Sequence, residues 1–146
     1  MGRTNPPPPS TPDDIEAQFY EALQRGDIER LMSAWSDDDE ICCVHPGGPR
    51  VVGAAAVRAS FTALFSNGPV DAHPEKVRRL HTHACAIHSV LEQVRVTLDG
   101  KPQTAWVVAT NVYVKAAQGW RLVAHHASPG SPAAVQDLVE STGVLH

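Results

Sequence analysis

The chain has 146 residues, of which 42% are hydrophobic and 19% charged, the size and balance of one soluble globular domain. Twelve Lys plus Arg against sixteen acidic residues give a net charge of −4, which excludes the basic footprint of a nucleic-acid binder. No apolar run approaches the ~20 residues of a membrane span and the N-terminus lacks a signal-peptide core, so a cytoplasmic location off the membrane is expected.

Residues 1–11 include Pro6, Pro7, Pro8 and Pro9 and almost nothing apolar, which predicts an extended, disordered tail. A first helix is predicted over 12–25. Pro12 suits its first turn, Asp13, Asp14 and Glu16 complement its dipole, and Ile15, Phe19, Ala22 and Leu23 form one apolar stripe. Gly26 stops it, and Asp27 caps a second helix to about Trp35, with Ile28, Leu31, Met32 and Trp35 facing inward. Asp37, Asp38 and Asp39 read as a solvated loop, because the spaced oxygen ligands and glycine turn of a calcium loop are missing.

A short strand over 40–45 ends in Pro46-Gly47-Gly48-Pro49, a rigid turn without a phosphate-binding pattern. Residues 53–65 are helical again, with Val57, Phe61, Leu64 and Phe65 inward, and 76–90 supply a strand or a bulged pair. A three-strand antiparallel meander follows over 91–98, 103–115 and 120–127. Its first turn is Asp99-Gly100, a strong hairpin signal, and its second strand is dense in β-branched and aromatic residues. Residues 131–139 could form a short helix with Val135, Leu138 and Val139 docking. Cys42, Cys43 and Cys85 lack a Cys-x-x-Cys spacing and read as reduced thiols.

These elements describe an α+β cone, three N-terminal-half helices covering a curved, mostly antiparallel sheet and leaving a blind pocket between the layers. The domain is expected over 12–130, between the 1–11 tail and a 131–146 tail. Three segments carry a family resemblance: Phe19-Tyr-Glu-Ala-Leu-Gln-Arg-Gly-Asp27, Val44-His-Pro-Gly-Gly-Pro-Arg-Val-Val-Gly53 and Gly119-Trp-Arg-Leu-Val-Ala-His-His-Ala-Ser128. In their order and spacing the chain resembles the nuclear transport factor 2-like superfamily, in its SnoaL-like and ketosteroid-isomerase-like branch. The resemblance implies a cone-shaped barrel of the cystatin-like α+β roll type and a homodimer. It spans isomerases, cyclases, dehydratases, epoxide hydrolases and association domains, so it leaves the reaction open.

By that resemblance, His45 of His45-Pro46 stands where ketosteroid isomerases carry the Asp that acts as base. Phe19 falls at the place of the oxyanion tyrosine and cannot donate a hydrogen bond, and Asn111 lies near the oxyanion aspartate. His45 has a side chain suited to acid–base work near neutral pH, the bland alternative being a strand-end histidine that bonds the turn. If Val114 pairs with Gly119, then Asn111, Leu122, Ala124 and His126 share the pocket face, whereas a one-residue slip selects His125. The expected site is therefore His45, Asn111 and His126, with Phe19, Trp35, Leu122 and Ala124 as lining.

His81, His83, Cys85 and Ile87 alternate onto one strand face, where a His-x-His pair could meet a metal with His125 or His126 as third ligand. No carboxylate or familiar signature accompanies them, so no metal and no cofactor is expected, and a polar rim or subunit contact is preferred. Two function classes follow. The first is an acid–base isomerase, cyclase or lyase acting on a small apolar carbonyl compound. The alternative is a non-catalytic ligand-binding or dimerisation module. Val108, Thr110, Val112 and Val114 form an apolar outer face that calls for a second copy.

Overall fold

The structure, a computed structural model, describes residues 11–131 and 137–139. All but Thr11 of the expected N-terminal tail, and most of the expected C-terminal helix, lie outside those residues. Asp137, Leu138 and Val139 are exposed and not helical, so Leu138 and Val139 do not dock.

Local capping sets the first two helices as the sequence reads. The Thr11 hydroxyl accepts from the Asp14 amide at 3.1 Å to start α1 (Pro12–Arg25), and Gly26, at φ 66°, closes it in the left-handed conformation. The Asp27 carboxylate accepts from the Arg30 amide at 3.1 Å to start α2 (Ile28–Ala34). Next come β1 (Cys42–Val44) and β2 (Arg50–Val52), an antiparallel hairpin where the sequence reads as one strand and a turn. Then α3 (Ala54–Phe65) leads to four long strands, β3 (Asp71–His81), β4 (Cys85–Leu98), β5 (Lys101–Ala116) and β6 (Gly119–Pro129).

The sheet runs β2-β1-β6-β5-β4-β3, with β1 parallel to β6 and every other pair antiparallel. It is an α+β roll as expected, but the sheet is open, with β2 and β3 as its edges, rather than a closed barrel. Asp99 (φ 53°) and Gly100 (φ 74°) make the expected two-residue turn between paired Leu98 and Lys101, both in the left-handed region that a type I′ turn requires. The break expected at residue 90 is absent. The chain turns instead at residues 82–84, which takes His83 off the strand face it was expected to share with His81 and Cys85.

Registers across β4, β5 and β6 stack inward-facing residues into rungs. Ala86, Tyr113 and Leu122 form one; His88, Asn111 and His125 the next; then Val90, Ala109 and Ala127. A fourth rung begins with Glu92 and Val107. The helices bury these rungs, and Phe19 anchors the core through edge contacts to Tyr20 (5.1 Å), Phe61 (6.0 Å) and Trp35 (6.4 Å) between ring centres. All three cysteines are free, and burial pushes the Cys43 thiol up to about 12, so it is inert as a nucleophile at neutral pH.

Candidate functional site

The last strand carries the decisive local feature. Ala116 pairs with Gly119, and Tyr113 with Leu122, but the next pair is Val112 with Ala124, which leaves Val123 as an extra residue. Without that bulge Asn111 would face Ala124, and His126 would point inward. With it, Asn111 faces His125, and His126 crosses to the outer face opposite Thr110. His125 is 5% exposed and His126 is exposed, so the expected inward position of His126 is corrected to His125.

Helix α1 lies over the rungs and lowers Glu16 and Tyr20, spaced by four and hence on one helix face, onto the sheet. The Tyr20 hydroxyl donates to Glu92 Oε2 at 2.7 Å and accepts from Asn111 Nδ2 at 3.0 Å. Asn111 Oδ1, which can only accept, takes the hydrogen bond that His125 Nδ1–H donates. Glu16 Oε2 accepts from His88 Nδ1 at 2.7 Å and from the Tyr113 hydroxyl at 3.3 Å. The tyrosine that reaches the site is thus Tyr20 and not the residue at position 19, whose phenyl ring belongs to the core.

Beside this network is a chamber of ≈260 Å³, lined by apolar groups including Leu23, Phe61, Leu64, Val70 and Val107, with His45, Glu92 and His125 as the ionisable lining residues among those described. Ala127 also lines it, and the short side chains of its rung leave the space. A larger cleft of ≈330 Å³ at Met32, Trp35, Ala54 and Arg58 lies on the surface between α2 and α3 and gathers no comparable set of titratable groups. Ala124 and His126 line another surface cleft, with Cys42 and Arg50. Of the expected lining residues, Phe19, Trp35 and Leu122 are buried core and do not line the chamber, and Trp35 borders the α2–α3 cleft instead. His45 does line it, and Asn111 stands just behind, both of its amide ends engaged.

Burial dominates the electrostatics of the chamber. It pushes Glu92 up to about 7, against the partial relief given by the Tyr20 hydrogen bond. It pushes His125 down to about 3, helped by the nearby His45 and His126, so His125 is neutral at pH 7. With its proton on Nδ1, His125 presents a bare Nε2 at 4.0 Å from Glu92 Oε2, and the contact is therefore not an ion pair. Burial also holds His45 below its ordinary value. Ser60 donates to the Val57 carbonyl at 2.8 Å, so at 3.2 Å it accepts from His45 Nε2 and leaves His45 Nδ1 as the basic nitrogen. Tyr20, buried beside Glu92, is raised well above 10 and stays a phenol. The arrangement can take up and release a proton at Glu92 and His45 within an apolar space.

Glu92, Tyr20, Glu16 and His88 were not singled out from sequence as site residues, and His125 entered only as the alternative to His126. A signal existed for Glu92: it alternates with Ala86, His88, Val90 and Val94, a carboxylate placed on an inward-facing row.

A family model described as a SnoaL-like domain matches residues 13–133. The chain belongs to the SnoaL-like family. Solved structures agree with that placement. A Thiobacillus denitrificans protein, provisionally described as a calcium/calmodulin-dependent protein kinase type II association domain, is 32% identical, with a TM-score of 0.77 over 87% of this chain and 100% of that one. A Streptomyces avermitilis protein, provisionally described as a dehydratase of the NTF2-like family, is 30% identical, with a TM-score of 0.72 over 80% of this SnoaL-like chain and 92% of its own. A ketosteroid isomerase-like protein from Erwinia carotovora atroseptica shares the fold at 18% identity, with a TM-score of 0.67 over 82% and 94% of the two chains. No curated protein matches. Among the described residues, no helix is long and apolar enough to cross a membrane.

Proposed function

We propose that this SnoaL-like chain binds a small, mostly apolar carbonyl compound in the chamber and moves a proton on it, as an isomerase, cyclase or lyase would. One observation carries the reading: a carboxyl group poised near neutrality, Glu92, opens into an apolar chamber that also holds His45 and a bare imidazole nitrogen of His125. Glu92 and His45 are the groups that exchange protons with the ligand. Tyr20 and Asn111 are positioning residues, because their polar atoms are spent on Glu92, His125 and each other. The description of the 30% identical Streptomyces protein as a dehydratase favours the same class.

The test does not require the natural substrate. The protein is incubated in D₂O with a series of apolar ketones, and loss of the α-proton signal is followed by NMR. Exchange above buffer, reduced ~10²–10⁴-fold in Glu92→Gln and in His45→Ala, is the expected result. No enhanced exchange with any ketone, or exchange as fast as wild type in both variants, would refute it.

The chain is also proposed to pair with a second copy through the outer sheet face, where Ile87, Val108, Thr110, Val112 and Ala124 lie together and Ile87 is 38% exposed. The description of the 32% identical Thiobacillus protein as an association domain favours such a face. Sedimentation should give about twice the 15.7 kDa of one chain at micromolar concentration, and a single monomeric species would refute the pairing.

A further inference from the structure

Away from the chamber, beside the N-terminal part of α1, five side chains meet in a way the proposed proton chemistry does not use. His88 is fully buried, and its Nδ1 bonds Glu16 Oε2 at 2.7 Å. A carboxylate can only accept, so the His88 proton is on Nδ1 and its Nε2 carries a lone pair. That Nε2 faces His81 Nε2 at 2.9 Å, with the two rings nearly parallel (14°) and their centres 5.2 Å apart. Each ring nitrogen is about 1.1 Å from its ring centre by covalent geometry, so these distances place the rings close to end-to-end, nitrogen toward nitrogen. Asp13 Oδ1 lies 3.8 Å from the same His88 Nε2 and accepts from Arg79 Nε at 2.9 Å.

We infer that His81, His88 and Asp13 form a binding site for a divalent transition-metal ion of the zinc class, with Glu16 and Arg79 as outer partners. Two imidazole nitrogens and one carboxylate oxygen are a donor set that zinc accepts and that magnesium and calcium do not favour. At zinc–nitrogen distances of about 2.0–2.1 Å, tetrahedral ligand atoms stand about 3.3 Å apart. In the metal-free chain the two nitrogens, at 2.9 Å, are the partners of a hydrogen bond that His81 Nε2–H donates, and metal binding requires the exposed His81 ring to swing by roughly 2 Å so that both lone pairs converge on the ion. Glu16 supplies the second-shell device typical of such sites, a carboxylate that fixes the ligating tautomer of a histidine through its other nitrogen. Arg79 likewise holds the Asp13 carboxylate without exhausting its oxygens. Asp13 and His81 are exposed, which leaves an open coordination position and an entry path from solvent.

The site arises from pairing between strands and not from the His-x-His spacing, since His83 lies in the bend at 82–84 and His125 and His126 belong to β6. It stands independently of the chamber reading. The experiment uses the tag-free full chain, stripped with a chelator, titrated with Zn²⁺ by calorimetry and with Co²⁺ by visible absorption. One ion per chain is expected, with a tetrahedral or five-coordinate cobalt band. Affinity should fall at least about tenfold in His81→Ala and in Asp13→Asn, and about 10–100-fold in Glu16→Gln, while His83→Ala leaves it unchanged. His81 is exposed, so its variant leaves the fold intact, and a melting curve of the metal-free protein checks this. Absence of stoichiometric binding, or binding that survives both His81→Ala and Asp13→Asn, overturns the inference.

Discussion

Replacing Glu92 by glutamine tests the electrostatic account of the chamber without any ligand. Glu92 is 6% exposed, and burial raises its carboxyl from the ordinary 4.5 to about 7 in the folded state. The unfolded chain ionises it near 4.5, so between these values the folded state holds the extra proton. The group's favourable contribution is therefore fully present below about pH 4.5 and is lost as pH rises through 7. At 1.36 kcal/mol per pH unit, the loss amounts to about 3 kcal/mol. His125 works in the opposite sense. Its folded value is pushed from 6.5 down to about 3, so its contribution is present above pH 6.5 and is lost as pH falls through 3. In the wild type these two slopes oppose each other between about pH 4.5 and 6.5 and largely cancel there. Glutamine keeps an acceptor for the Tyr20 hydroxyl and cannot ionise, so it removes one slope alone. Urea unfolding from pH 4.5 to 8 should show Glu92→Gln gaining about 3 kcal/mol on the wild type across that range. Parallel profiles would mean that Glu92 titrates as an ordinary carboxylate, and the account of the chamber would fail.

Tyr20→Phe leaves the Asn111 amide and Glu92 Oε2 short of a partner in a buried site, and should cost about 1–3 kcal/mol in urea unfolding. Because the Tyr20 hydrogen bond holds the Glu92 pKa down, the same change should move the carboxyl titration of Glu92 further upward when followed by carbon NMR. Phe19→Ala empties the centre of the aromatic core and should cost about 3–5 kcal/mol, with no direct effect on ligand chemistry, since Phe19 does not line the chamber. A Phe19→Ala protein as stable as wild type would mean that the ring is not packed as described.

Much of the architecture was legible in the chain because its causes are local. Thr11-Pro12, Gly26-Asp27 and Asp99-Gly100 carry their caps and turns in adjacent residues, and period-3.6 and period-two patterns mark the helices and long strands. His45 and Asn111 were placed by the family resemblance alone; His45 borders the chamber and Asn111 bonds Tyr20 and His125 behind it. Which imidazole of His125-His126 turns inward was not decided locally. That depends on the extra residue at Val123, and a bulge is fixed by how two strands pair along their whole length, not by either strand's alternation. Tyr20 and Glu92 meet across 72 positions, as do Glu16 and His88, and nothing in the neighbourhood of either residue announces the other. The sequence thus determined which segments are helix and strand and which of their faces are apolar. Only the tertiary structure decided which polar groups are buried together, because their pairing, and the cost of desolvating them, exists only once helix α1 closes over the sheet.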